Sequence, residues 1–133
     1  DLSLKNDKTS KDDIINMQNK KTGALMGFCI QAAAILADKK DLEEKFKSIG
    51  MKLGLLFQIK DDFLDRYGSA DILGKPVQQD IAKGKNTLID FLGEDETKKL
   101  MKSLQAEIKQ NLRSLTKTNY LIDCMSFIIN RKN

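Results

Sequence analysis

Apolar residues recur at helical spacing along nearly the whole chain, and no stretch alternates with the period of two that a half-buried strand requires. Ser10 followed by Asp13 forms a capping-box pattern, with Asp in place of the usual Glu, opening a short helix through Ile14, Ile15 and Met17. A second helix is predicted from about Thr22 to Ala37, with Met26, Ile30, Ala33, Ala34 and Ala37 on one side. Asp38 to Asp41 makes the turn into a long third helix, from about Leu42 to Tyr67. Its middle, Ile49 to Leu64, is apolar on almost every face, which places it at the centre of a bundle rather than on its surface. Gly68 to Asn86 is punctuated by Gly68, Gly74, Pro76 and Gly84, and it is longer than a connection needs. A short helix follows at about Thr87 to Leu92, ended by Gly93. Next comes an amphipathic helix carrying Leu100, Leu104, Ile108, Leu112 and Leu115. A final helix carries Leu121, Ile122, Met125, Ile128 and Ile129. The fold class expected is all-α, with residues 1–133 forming a single domain.

Thr22 to Ala37 is apolar enough to imitate a membrane span. It is too short for a bilayer, is flanked by lysine pairs and carries Gln31 in its middle, so a buried core helix is the expectation. The formal net charge of +4 comes almost entirely from lysines interleaved with acids, the pattern of solvated helix faces. With no Trp and two Tyr, a nucleic-acid surface is poorly supplied, and no nucleic-acid partner is expected. The highly charged opening, Asp1 to Lys21, has no signal-peptide architecture; a cytoplasmic protein that does not span a membrane is expected.

The chain contains no His, which removes the commonest general base and metal ligand together. Its two cysteines, Cys29 and Cys124, lie far apart and form no CxxC pair, which argues against a zinc or disulfide framework. Polar chemistry must therefore fall to carboxylates and lysines. On a helix, Asp61 and Asp65 stand at i and i+4 and share one face, with Gln58 one turn earlier on the same side and Asp62 about a quarter-turn away. Carboxylates clustered at the end of an apolar helix repel one another and resist desolvation, unless a divalent cation sits among them. All-oxygen ligation selects hard cations, and Mg²⁺ takes one or two carboxylates plus phosphate oxygens. An acidic helix end can equally be solvated and idle. What favours chemistry is the surrounding set of cations. Gly74-Lys75 and Gly84-Lys85 pair each lysine with a glycine that lets backbone approach a phosphate, and Lys21-Thr22-Gly23 opens the apolar helix with a cation and a hydroxyl positioned to reach an anion at a helix start.

The run Gly54-Leu55-Leu56-Phe57-Gln58-Ile59-Lys60-Asp61-Asp62-Phe63-Leu64-Asp65 resembles the second aspartate-rich motif of the trans-isoprenyl diphosphate synthases (polyprenyl synthetases), closest in pattern to bacterial farnesyl and geranylgeranyl diphosphate synthases. Lys21-Thr22-Gly23-Ala24-Leu25 is similar to their KTG-L element. Gly74-Lys75-Pro76 with Asp80 and Gly84-Lys85-x-Thr87 is similar to their downstream lysine loop, residues 74–87, although Gln78 stands where the family usually has Gly. Phe91-Leu92-Gly93-Glu94 and Phe127-Ile128-Ile129-Asn130-Arg131 resemble the tail of bacterial members. The family's first aspartate-rich motif has no counterpart, since Asp12-Asp13 is followed by Ile14, Ile15 and Asn16; the chain resembles the C-terminal half of an isoprenoid-synthase-type helical bundle.

That resemblance implies a Mg²⁺-dependent prenyltransferase condensing isopentenyl diphosphate with an allylic diphosphate, homodimeric as the full-length protein. It implies Asp61, Asp62 and Asp65 as metal-binding and catalytic residues, with Asp61 the direct ligand. Lys21 and Lys75 would join them in catalysis, and Lys21, Thr22, Gln58, Lys75 and Lys85 would bind the substrate diphosphate. Gly23, Gly27 and Ala33 would let helices approach closely or leave room for the isoprenoid tail, with packing the preferred role. With one acidic motif the isolated chain is expected to be incomplete and inactive, and its Thr22–Ala37 and Ile49–Leu64 helices are expected to lack packing partners. A non-catalytic half-length partner of a synthase and a bare helical interaction module are the competing readings. Terpene cyclases, which share the fold, do not usually carry the paired lysine loop.

Overall fold

The computed structural model describes residues 10–68, 87–115 and 118–132. Among them every regular element is helical: α1 (Lys11–Gln18), α2 (Ala24–Leu36), α3 (Glu43–Tyr67), α4 (Leu88–Leu112) and α5 (Asn119–Asn130). The capping box is formed as expected. Asp13 N–H donates to Ser10 Oγ at 3.2 Å, and Ser10 N–H donates back to the Asp13 carboxylate at 3.0 Å. Asp12 and Asp13 also put negative charge on the positive end of the helix dipole.

The expected start of a helix at Thr22 is not a start. α1 continues through a π-helical turn, Asn19–Gly23, straight into α2. Gly23 and Ala24 keep right-handed helical angles, and Ala24 N–H bonds Asn19 C=O. The backbone amides at Lys21-Thr22-Gly23 are thus inside a helix, and the anion site expected at a helix N-terminus is not built. α2 closes where its turn was expected. Asp38 adopts a left-handed φ of 52°, Asp38 N–H bonds Ile35 C=O at 3.0 Å, and Lys39 N–H bonds Ala34 C=O at 2.9 Å, the two bonds of a Schellman closure. A 3-10 turn, Lys40–Leu42, then leads into α3.

The short connection makes α2 and α3 antiparallel neighbours, and glycines set how close they come. A Cβ on Gly50 would lie 2.4 Å from the Met26 carbonyl oxygen and 2.7 Å from the Gly27 Cα; one on Gly54 would lie 2.7 Å from the Gly23 Cα. Two backbones in van der Waals contact leave no room for side chains there. Gly23 and Gly27 therefore serve packing. Ala33 does not; it is exposed, and Ala34 is the buried residue at that level.

α3 is central, as its apolar middle predicts. It packs against α1, α2, α4 and α5. Ile49, Leu53, Leu56 and Ile59 are buried with Ile14, Leu88, Leu104, Ile108, Leu112, Met125 and Ile128 in one core. Its apolar faces do not lack partners, contrary to expectation, because the chain's own α4 and α5 cover them. α2 is different. It was expected to be a buried core helix, yet it turns Gly27 and Ala34 inward and leaves Leu25, Phe28, Ile35 and Leu36 exposed.

In α4 the break expected at Gly93 is present. Gly93 has φ 75° and ψ 174°, a backbone region open essentially to glycine, and the buried Thr97 hydroxyl donates to its carbonyl oxygen at 2.7 Å. Beyond it, Leu104, Ile108 and Leu112 are buried at the expected four-residue spacing. Cys29 and Cys124 are both free and exposed. Among the described residues no helix is long and apolar enough to cross a membrane.

Candidate functional site

The glycine seam between α2 and α3 runs along positions 50 and 54 of α3, and the same helical stripe continues at 58 and 62. There the partners change from backbone to polar side chains. Thr22 Oγ1, from the π turn, donates to Gln58 Oε1 at 3.3 Å, and Gln58 Nε2 donates to Asp62 Oδ1 at 3.1 Å. The π turn widens the helix at the level of Gln58, and turns of this type are often found at functional sites. A hydroxyl, an amide and a carboxylate are thereby linked in order across two helices. Gln58, expected on the face of Asp61 and Asp65, spends its amide on Asp62.

The three aspartates have unequal surroundings. Asp62 is 5% exposed and Asp65 8%, whereas the Asp61 side chain is 40% exposed. Asp61 Oδ1 lies 3.4 Å from Arg131 Nη2, at the end of α5. The same Arg131 nitrogen donates to the Phe57 carbonyl oxygen at 3.1 Å, and the guanidinium carbon stands 4.1 Å over the Phe57 ring. Lys60 is a second cation beside the motif. Its partial burial lowers the ammonium pKa, and the neighbouring Arg131 charge lowers it further.

Two ends of the site are pinned by further polar contacts. Arg66, in the last turn of α3, pairs with Asp90 in the first turn of α4. The same Asp90 accepts from Thr87 N–H and Thr87 Oγ1, both at 2.8 Å, so Thr87 caps α4. Lys21 is exposed on the π turn whose Thr22 touches Gln58. Lys75, Lys85, Gly74, Asp80 and the rest of the expected lysine loop up to residue 86 lie outside the described residues.

The donor set fits a hard divalent cation. It is all oxygen, with one accessible carboxylate and two buried ones adjacent to it along the helix. Among the described residues no three His, Cys, Asp or Glu side chains form a ready-made metal cage. Oxygen atoms from a ligand or from other protein segments would have to complete the shell, which is the way Mg²⁺ is commonly held with phosphates. A groove of about 380 Å³ lined by Asn19, Lys47, Met51 and Leu104 contains none of these residues.

Sequence reading quoted Arg131 and Lys60 within family-like runs but gave neither a place at the site. Arg131 is 70 positions from Asp61, and a basic residue just past a helix end has an ordinary local explanation in the helix dipole. Lys60 is one lysine among many.

Three known proteins resemble this chain in sequence or fold. A short chain isoprenyl diphosphate synthase of Methanocaldococcus jannaschii is 38% identical over 78% of this chain and 34% of its own length. A farnesyl diphosphate synthase of Micrococcus luteus is 35% identical over 84% of this chain and 39% of its own. The crystal structure of a geranylgeranyl pyrophosphate synthetase from Pyrococcus horikoshii superposes with a TM-score of 0.82 at 27% identity, over 98% of this chain and 53% of that one. The chain thus spans between about a third and a half of the length of these proteins. The family model for polyprenyl synthetases matches residues 1–125, and the chain belongs to that family.

Proposed function

We propose that this chain supplies one diphosphate-binding wall of a short-chain prenyl diphosphate synthase, of the farnesyl or geranylgeranyl type. The longer protein would be a cytoplasmic, homodimeric prenyltransferase acting on isopentenyl diphosphate and an allylic diphosphate. The observation that carries this reading is the linked set Thr22–Gln58–Asp62 beside Asp61 and Asp65, at one end of the central helix. Membership of the family and the names of the relatives support it.

In this reading Asp61 offers its accessible carboxylate to Mg²⁺, while Asp62, held by Gln58, and Asp65 supply buried negative charge behind it. Bound Mg²⁺ would neutralise diphosphate oxygens and so make the allylic diphosphate a better leaving group. Lys21, with Lys75 and Lys85 of the 74–87 segment, adds positive charge for the same diphosphate; Gln58 keeps a second amide N–H to donate to it, and Thr22, whose one hydroxyl hydrogen goes to Gln58, orients that amide instead of the diphosphate. The allylic C–O bond breaks, the double bond of isopentenyl diphosphate forms the new C–C bond, and a proton leaves to the released pyrophosphate. No protein general base is needed, which suits a chain without His. The 133-residue chain, with a single acidic motif, would not turn over alone.

Calorimetry with inorganic pyrophosphate tests the reading on this chain. Binding is expected with Mg²⁺ present and not without it. Equal binding in both conditions would remove Mg²⁺ from the site.

A further inference from the structure

The end of α5 reaches the acidic motif through one side chain, and the reach is specific. Arg131 is 10% exposed, bonds the Phe57 carbonyl oxygen at 3.1 Å, stacks over the Phe57 ring and lies 3.4 Å from Asp61 Oδ1. Its Nε is buried as well and finds no acceptor among the described residues.

Asp61 has the most exposed side chain of the three aspartates, and contact with a fixed group narrows the rotamers open to its carboxylate. Arg131 is itself fixed by the Phe57 carbonyl and ring, and a planar guanidinium held at two points transmits orientation to a third. We propose that Arg131 is a positioning residue for Asp61, tying the C-terminal end of α5 to the acidic motif so that the Asp61 carboxylate is set for a divalent cation bound with a diphosphate. The proposal rests on the functional reading above.

Two opposed effects make it decidable. A cation 3.4 Å from a metal-binding carboxylate repels the metal, so charge alone predicts that removing Arg131 tightens Mg²⁺ binding. Loss of positioning predicts the reverse. Pyrophosphate is titrated calorimetrically into the wild-type chain, Arg131→Met and Arg131→Lys at a series of fixed Mg²⁺ concentrations, each in excess over pyrophosphate, so that the Mg²⁺ dependence of binding gives the apparent Mg²⁺ affinity. The expected result is at least roughly tenfold weaker Mg²⁺ binding in Arg131→Met, the scale of losing a residue that orients a metal ligand. Arg131→Lys should recover part of it. Unchanged or tighter binding in Arg131→Met would overturn the proposal.

A metal-free measurement separates this proposal from the functional reading. A double-mutant cycle between Arg131→Met and Asp61→Asn, read by urea unfolding without Mg²⁺, should show a coupling of roughly threefold or more in the unfolding equilibrium. Coupling together with no Mg²⁺-dependent pyrophosphate binding by wild type would sink the functional reading and leave the Arg131–Asp61 tie standing. Absence of coupling would overturn the tie itself.

Discussion

Between Ile49 and Leu56, α3 buries glycines and aliphatic side chains; between Gln58 and Asp65, the same helix buries two carboxylates and half-buries an amide. The first half is joined to α2 by backbone contact at Gly50 and Gly54, with no polar group to satisfy. The second is joined to the π turn by the Thr22–Gln58–Asp62 chain and to α5 by Arg131. Apolar contact is favourable in proportion to area, whereas buried carboxylates cost free energy unless something outside the helix compensates. One half of α3 therefore stabilises the fold, and the other uses that stability to hold a charged site.

If this division is right, substitutions in the two halves should fail in different ways. The largest effect is expected in catalysis. In a full-length protein containing this chain, Asp61→Ala should lower turnover by about 10²-fold or more, since it removes a charge that stabilises the departing diphosphate, while the thermal midpoint moves little. A loss below about tenfold in a steady-state assay would return Asp61 to the solvated surface.

In the apolar half the expected effect is on stability. Gly50→Ala gains up to about 1 kcal/mol of helix propensity, but its new methyl would sit 2.4 Å from the Met26 carbonyl oxygen. Backbone on both sides cannot yield as a flexible side chain would, so the clash should win by about 2 kcal/mol net. Urea unfolding measures this, and a stabilised Gly50→Ala would mean that α2 and α3 do not touch as described.

The smallest effect lies far from both halves. The hydrogen bonds from Ser10 lower the pKa of Asp13 below its ordinary 3.8. A depressed carboxylate pKa contributes stability that is fully present above 3.8 and is lost as pH falls through the lowered value. Ser10→Ala should cost about 1 kcal/mol at neutral pH. Melting curves of the two proteins should draw closer as the solution is acidified, because protonation of Asp13 ends the bond from the Ser10 hydroxyl while the bond from Asp13 N–H to that hydroxyl remains; a gap that does not narrow would contradict the carboxylate's part in the cap.

Much of the fold was legible because helical spacing, capping residues and turn residues agree locally. Ser10 with Asp13, Asp38 in the α2 turn, Gly93 as the break and the Leu104–Ile108–Leu112 stripe all act where local chemistry places them. What local pattern could not supply was the partner of each face. α2 and α3 read alike as apolar helices, yet only α3 is surrounded, because burial depends on which distant segments return to it. The π turn was invisible for a related reason: its two ends, Asn19 and Gly23, have ordinary helical angles, and the register shift shows in the Ala24 N–H bond to Asn19 C=O. In the site, the spacing of Asp61 and Asp65 was legible, while the burial of Asp62, its bond from Gln58 and the tie from Arg131 depend on tertiary contact.

Thermal melting of the wild type and Asp62→Asn, each with and without Mg²⁺ and pyrophosphate, tests the division of α3 most directly. Asn preserves shape and can still accept from Gln58 while removing a buried charge. Without ligand, Asp62→Asn should melt close to the wild-type temperature, because the shape and the bond from Gln58 are kept. With Mg²⁺ and pyrophosphate the wild type should melt higher, because it gains ligand-linked stability that the variant lacks. A variant that melts several degrees lower without ligand, or a wild type that gains nothing from Mg²⁺ and pyrophosphate, would contradict the account.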